Sequence, residues 1–227
     1  MNATDFQTFF PRILFSISIL FSGEVCAQEQ IWNRAKQILD RSKPLVADQV
    51  KTDMEMIDND GISLGTMSIQ EKISGWEKGE PSRVVTFNSN PEHAEIIKTR
   101  FKIGVDNHPD QGLIDNSLIE SSESAVLNGK ECILFVASGE RRNYKFKSRV
   151  WIEKSSERPL KVIHTYSGIS FVKAMTQTIM FGSNNEGNWV PVSSVLDSTV
   201  SLLFKKMRII TKYQFDTWIS RPNAQLP

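Results

Sequence analysis

Cysteine and histidine are scarce in this chain of 227 residues: there are two cysteines and three histidines. His93, His108 and His164 lie far apart, and none stands at metal-ligand spacing from another histidine or a carboxylate on an evident scaffold. Cys132 sits in an apolar run with no adjacent base, the setting of an inert structural thiol. Gly-x-Ser-x-Gly, a phosphate-binding loop and a dinucleotide fingerprint are all missing. The expectation is a protein that is not an enzyme, with no catalytic residue, no metal ligand and no cofactor. An excess of one charge sign is lacking too. Lys and Arg number 27 against 26 Asp and Glu, for a net charge of +1. Glu140-Arg141-Arg142 and Lys205-Lys206 are small groups on a solvated surface, so no nucleic acid partner is expected. The remaining composition, 40% hydrophobic and 23% charged, is that of an ordinary globular protein.

Long apolar runs are confined to the amino terminus. Arg12 precedes Ile-Leu-Phe-Ser-Ile-Ser-Ile-Leu-Phe-Ser, and Val25-Cys26-Ala27 supplies the small residue a signal peptidase requires. The run is shorter than the roughly 20 residues that span a bilayer. Residues 1–27 are therefore expected to be a cleaved secretory signal, with residues 28–227 as one domain. The alternatives are an uncleaved anchor and lipid attachment at Cys26, against which Ser22-Gly23-Glu24-Val25 makes a poor lipobox. Cleavage after Ala27 leaves Cys132 alone, so stability must come from the core and not from an internal disulfide.

Beyond the leader the pattern is mostly period two. Gln30–Leu45 reads as an amphipathic helix, with Ile31, Ala35, Ile38 and Leu39 at three- and four-residue spacing and Pro44 closing it. Val50–Ile57 alternates, Asn59-Asp60-Gly61 makes a turn, and Ile62–Trp76 returns with a change of apolar parity at Gly65 that predicts a β-bulge. Arg83–Phe87 is a short strand, and Asn90–Ser122 gives no clear pattern. Asn128-Gly129 is a strong type I′ turn signal, and Ile133–Ala137, apolar at both parities, predicts a central strand. Val150 and Ile152 share a face in the hairpin from Arg149 to Tyr166, opposite Arg149, Trp151 and Glu153. Its second arm places Leu160 and Val162 together, with Pro159 at the first strand position. Phe171–Phe181, Trp189–Leu196 and Lys206–Phe215 complete the set.

This pattern predicts an α+β fold, a long, strongly curved antiparallel sheet with one amphipathic helix at its amino-terminal end. One helix of about 16 residues, some 24 Å long, covers only part of such a face. The remainder is either closed core or an apolar pocket. The inward residues expected to line it are Met54, Met56, Ile69, Val85, Phe87, Val150, Ile152, Leu160, Val162, Met207, Ile209, Tyr213 and Phe215. Met54, Met56, Met67, Met175 and Met180 fall in the strands, where flexible thioethers suit a surface that repacks around variable chains, although methionine also serves as plain core.

Val150-Trp-Ile-Glu153 with Pro159-Leu-Lys-Val162, Gly187-Asn-Trp-Val-Pro191, and the closing Tyr213-Gln-Phe-Asp-Thr-Trp218 resemble the outer-membrane lipoprotein-sorting family, the LolA-like periplasmic lipoprotein carriers. The resemblance is good from Tyr144 to Trp218 and looser elsewhere, and it departs between Asn90 and Ser122. It implies that the sheet forms an unclosed β-barrel, a periplasmic half-barrel covered by the amino-terminal helix that shields a lipid or lipoprotein acyl chain, with a membrane or outer-membrane protein as a possible partner. The alternative is the same fold used as a non-catalytic sensor or adaptor that binds a protein. It also implies an arginine that latches the covering helices, for which Arg83 is the candidate.

Overall fold

A computed structural model describes residues 28–89, 117–141, 144–202 and 205–222. The expected signal, residues 1–27, and most of the unpatterned stretch from Asn90 lie outside the described residues. Residues 28–42 form helix α1, which turns through Lys43-Pro44 into the first strand. The helix thus stops earlier than expected, and β1 runs Leu45–Ile57. Leu45, expected at the helix end, belongs to the strand, and the strand expected from Val50 begins five residues earlier, because the chain becomes extended next to Pro44.

The rest is one antiparallel meander. After β1 come β2 (Ser63–Glu77), β3 (Glu80–Asn88), β4 (Leu118–Leu127), β5 (Lys130–Arg141), β6 (Tyr144–Glu153), β7 (Pro159–Ser167), β8 (Val172–Ser183), β9 (Trp189–Leu202) and β10 (Lys205–Ser220). Their spatial order is β3-β2-β1-β10-β9-β8-β7-β6-β5-β4. β1 and β10 pair along nearly their whole length, joining the two ends of the chain's fold. The sheet does not close, and β3 and β4 are its edges. The result is an open half-barrel with a helix over part of it.

Turn chemistry follows the residues where it was legible. Asn128 and Gly129 have φ of 51° and 77°, the two positive values a type I′ turn needs. Ser63 pairs with Ile57 and Gly65 with Met56, leaving Leu64 as the extra residue of the bulge expected there.

Register brings one side chain from each of nine strands into a single row. Ser122, Phe135, Val150, Val162, Ile179, Ser194, Tyr213, Thr52 and Ile69 are successive partners across the sheet. Trp32, Ala35 and Leu39 of α1 pack on the β5–β8 part of this face with Ile133, Phe135, Ala137, Val150, Ile152, Val162 and Ile179. Trp32 and Phe135 meet at 5.2 Å between ring centroids. Polar contacts pin the helix at its sides: Ser42 Oγ donates to the Trp189 carbonyl at 2.6 Å, and Arg34 pairs with Glu157 at 2.9 Å.

β5 corrects an expectation. It is buried on both faces but is the second strand from an edge, not a central one. Its second face is covered by a cluster on the outer side of the sheet, where Cys132 and Leu134 pack with Trp151 and Leu160. Trp151, assigned to the wet face of its hairpin, is buried there beneath Arg149 and Lys161, whose charged groups lie 5.2 and 5.3 Å from its ring.

Phe135 is 1% exposed at the centre of the helix–sheet contact. Phe135→Ala is expected to cost about 3–5 kcal/mol, through lost burial and a residual cavity. Urea unfolding measures it, and a loss below about 1 kcal/mol would show that the helix–sheet contact contributes little.

Candidate functional site

The inner face of the sheet divides into regions of different chemistry. Beside the helix-covered cluster lies a second one formed by Met54, Met67, Ile69 and Ile209, with Met56, Val85, Val200 and Met207 packed against it. No helix residue belongs to this second cluster. Two cross-strand rows build it: Thr211–Met54–Met67 and Ile209–Met56–Gly65. Three of its members are flexible thioethers on adjacent strands β1 and β2, and Met207 adds another from β10. Such side chains refit their surroundings at low cost.

Between the two apolar clusters runs a polar belt. The row Ala137, Ser148, His164, Gln177, Leu196, Thr211 crosses β5 to β10 with four polar side chains in it. Ser148 Oγ and His164 Nδ1 are 2.7 Å apart and both residues are buried. Tyr166 donates to Gln177 Oε1 at 2.7 Å, and Gln177 Nε2 donates to Ser194 Oγ at 3.2 Å. Phe146 stands edge-on to the His164 ring at 6.0 Å. A Cβ added at Gly139 would fall 2.5 Å from the Phe146 ring, so glycine is what admits that ring. Nothing in the alternating pattern singled out these polar residues, because Ser, Gln and His at inward parity read as breaks in an apolar stripe. The repeated signal was their shared parity with Val162 and Ile179.

A charged corner closes the inner face near β3. Arg83 donates to the Asp48 carbonyl at 3.2 Å and to that of Ala47, reaching from β3 past β2 to β1. Both acceptors lie just before Gln49, where the pairing of β1 with β2 begins, so no residue of β2 is paired with either. Arg83 therefore latches strand to strand, and in the described residues its partners are not helix carbonyls. Burial lowers the Arg83 guanidinium from its ordinary value, opposed by the charges of Glu71 and Asp48. Burial, helped by the charge of Glu71, pushes Tyr213 up to about 12.

Of the residues expected to face inward, Val150, Val162, Ile69 and Tyr213 share the central row, and Met54, Met56 and Ile209 the two rows beside it. Ile152 pairs with Ile133 under the helix, and Met207 and Val85 flank the methionine cluster. Phe215 stacks on Tyr213 at 6.3 Å and packs toward Leu45, Ala47, Val190 and Trp218. Leu160 and Phe87 depart from the group. Trp151 pairs with Lys161 and Ile152 with Pro159, so Leu160 is the extra residue of a bulge and turns to the outer face. Gln70 pairs with Phe87 and Glu71 with Val85, so a bulge at Thr86 separates Val85 from Phe87, which is 48% exposed.

No protein-family model matches the chain, and no curated protein matches it. Among solved structures, it is similar to a DUF1329 family protein from Desulfovibrio piger, at 11% identity and a TM-score of 0.39, over 89% of this chain and 95% of that one. It is also similar to MucB in complex with MucA(peri), at 8% identity and a TM-score of 0.22, over 84% and 98%. The Pseudomonas aeruginosa MucA/MucB complex matches at 8% identity and a TM-score of 0.24, over 85% and 98%.

Tyr213 yields a test of the inner face. Its folded form keeps the phenol proton up to about 12, against an ordinary value of 10.0. Its contribution to stability is complete below pH 10 and is lost as pH rises toward 12, on the order of 2–3 kcal/mol. Tyr213→Phe should remove that part of the alkaline decline in urea midpoint. An identical decline in both proteins would place the phenol in contact with water.

Proposed function

We propose that the chain is an exported, periplasmic binding protein whose inner sheet face holds the acyl chain of a lipid or lipoprotein, without catalysis. The observation that carries this reading is the second apolar cluster. Met54, Met56, Met67 and Met207 stand with Ile69 and Ile209 on an inward face that α1 does not share. Affinity would come from burial, at about 0.8 kcal/mol for each methylene removed from water. The polar belt from Ser148 to Ser194 would border the apolar lining, and Arg83 would hold β3 against β1 at its far end. The local resemblance of Val150–Val162 and Tyr213–Trp218 to lipoprotein carriers agrees with this assignment.

The test is organic extraction of the purified protein followed by mass spectrometry, in wild type and in Met56→Glu. Met56 is half-buried at the rim of the cluster, so the variant is expected to fold, with an unchanged far-ultraviolet circular dichroism spectrum, and to lose co-purifying lipid. Ile152→Glu, at a position with no exposure beneath the helix, should instead unfold the protein. A wild-type protein free of lipid, or a folded Met56→Glu that retains it, would refute the proposal.

The second reading, an adaptor that binds a protein strand, is favoured by one feature of the β3 edge. Val84 and Phe87 are each 48% exposed there, and Val84–Ser89 carries no charge. Edge strands are ordinarily guarded by charged residues. Placing lysine at both positions should abolish capture of a membrane-protein partner under this reading and leave lipid content unchanged. Capture that survives the double substitution would exclude this edge as the docking strand.

A further inference from the structure

The two rims of the half-barrel end in turns of opposite character. One rim carries the β2–β3, β4–β5, β6–β7 and β8–β9 connections. The exposed residues of these turns are polar or glycine, including Lys78-Gly79, Asn128-Gly129, Lys154-Ser155 and Asn185-Glu186, and Val126 of β4, 70% exposed, is the large apolar side chain beside them. The other rim carries the β1–β2, β5–β6, β7–β8 and β9–β10 connections. There Ile62, Leu64 and Phe171 are 62%, 58% and 70% exposed.

Phe171 is the informative residue. Its φ is 64°, a left-handed conformation that costs a bulky side chain roughly 1 kcal/mol or more and that glycine adopts freely. The exposed ring recovers little of that cost from the rest of the chain. The tip is nevertheless held in place, since the Phe171 carbonyl accepts from Ser201 N at 2.8 Å. The β1–β2 tip is held as well: Asp58 Oδ1 accepts from Asp60 N at 2.9 Å and from Ile62 N at 2.8 Å. Two built tips therefore present apolar side chains to the outside. Three strand spacings separate β1 from β8, about 15 Å at 4.8 Å per strand.

Lys145, Lys173 and Lys206 stand exposed on the same rim and form no ion pair among the described residues. Asp60, Glu120 and Glu140 are the exposed acids there, Glu120 paired with Lys147 at 2.9 Å and Glu140 opposite Lys145 across the strands, while Asp197 is paired with Arg208 at 2.6 Å and the Asp58 carboxylate is engaged by its own turn.

We infer that this rim docks on the headgroup layer of an anionic lipid bilayer. Single apolar side chains on separate tips do not make the contiguous patch that a protein interface needs. They do fit between headgroups, with lysines reaching anionic phosphate beside them. The inference rests on the rim alone, so it stands or falls separately from the lipid-binding inner face.

The test uses the full chain with Cys26→Ser and an environment-sensitive fluorophore on Ser170→Cys, beside Phe171, or on Asn185→Cys at the opposite rim. Cys132 is buried and leaves the label to the introduced thiol. With phosphatidylglycerol–phosphatidylethanolamine vesicles, the probe at 170 should shift to the blue and brighten several-fold, while the probe at 185 stays unchanged. Phosphatidylcholine vesicles should give a much weaker response. Adding Phe171→Gly, Ile62→Ser and Leu64→Ser should weaken vesicle binding roughly tenfold without lowering the urea midpoint, since glycine relieves the left-handed backbone. The inference is overturned by a silent probe at 170, by equal responses at both rims or with both vesicle types, or by unchanged binding of the triple variant. A blue shift that grows with protein concentration in the absence of vesicles overturns it in favour of a second copy of the chain.

Discussion

An open sheet has one face that must be hidden from water, and in this protein the contact between Trp32 and Phe135 begins the hiding. It sets α1 against β5 to β8, where Val150, Ile152, Val162 and Ile179 are almost wholly buried. The helix is tied at two sides, by Ser42 to Trp189 and by Arg34 to Glu157. The exposed Arg34–Glu157 pair contributes little by itself. The apolar contact supplies the energy, and the polar contacts set the helix's position. A helix placed there leaves the Met54–Ile209 region without a residue of α1 against it.

The inner face is not uniformly apolar, and its polar belt has a physical consequence. Burying Ser148, His164, Gln177 and Ser194 is costly unless their hydrogen bonds are made. The Ser148–His164 contact and the chain from Tyr166 through Gln177 to Ser194 make three such bonds. A hydrogen-bonded belt of this kind fixes the register of β6 to β9 more strictly than methyl groups would, since a one-residue slip separates every bonded pair. Arg83 works in the same way at the other end, donating to the Ala47 and Asp48 carbonyls beyond the end of the β1–β2 pairing.

Much of the architecture was legible because a strand's side chains alternate. Val150 with Ile152, Ile209 with Tyr213, and Met54 with Met56 could be assigned to one face from parity alone, and Asn128-Gly129 announced its turn. Two of the errors share one cause. A bulge adds a residue without changing composition, so Leu160 and Phe87 changed faces with no visible signal. β5 was taken for a central strand because period two cannot tell a central strand from one whose outer face is roofed by Trp151 and Leu160.

Sequence by itself determined the class of fold, one helix followed by a long antiparallel meander, because hydrophobic period and turn residues are local properties of the chain. Tertiary structure alone decided that β1 pairs with β10, that Arg83 reaches Ala47 and Asp48, and that four polar residues meet in one belt. It also gathered the exposed Ile62, Leu64 and Phe171 on one rim and the polar turns on the other. These outcomes depend on contacts between residues far apart in the chain, whose energies no local pattern encodes.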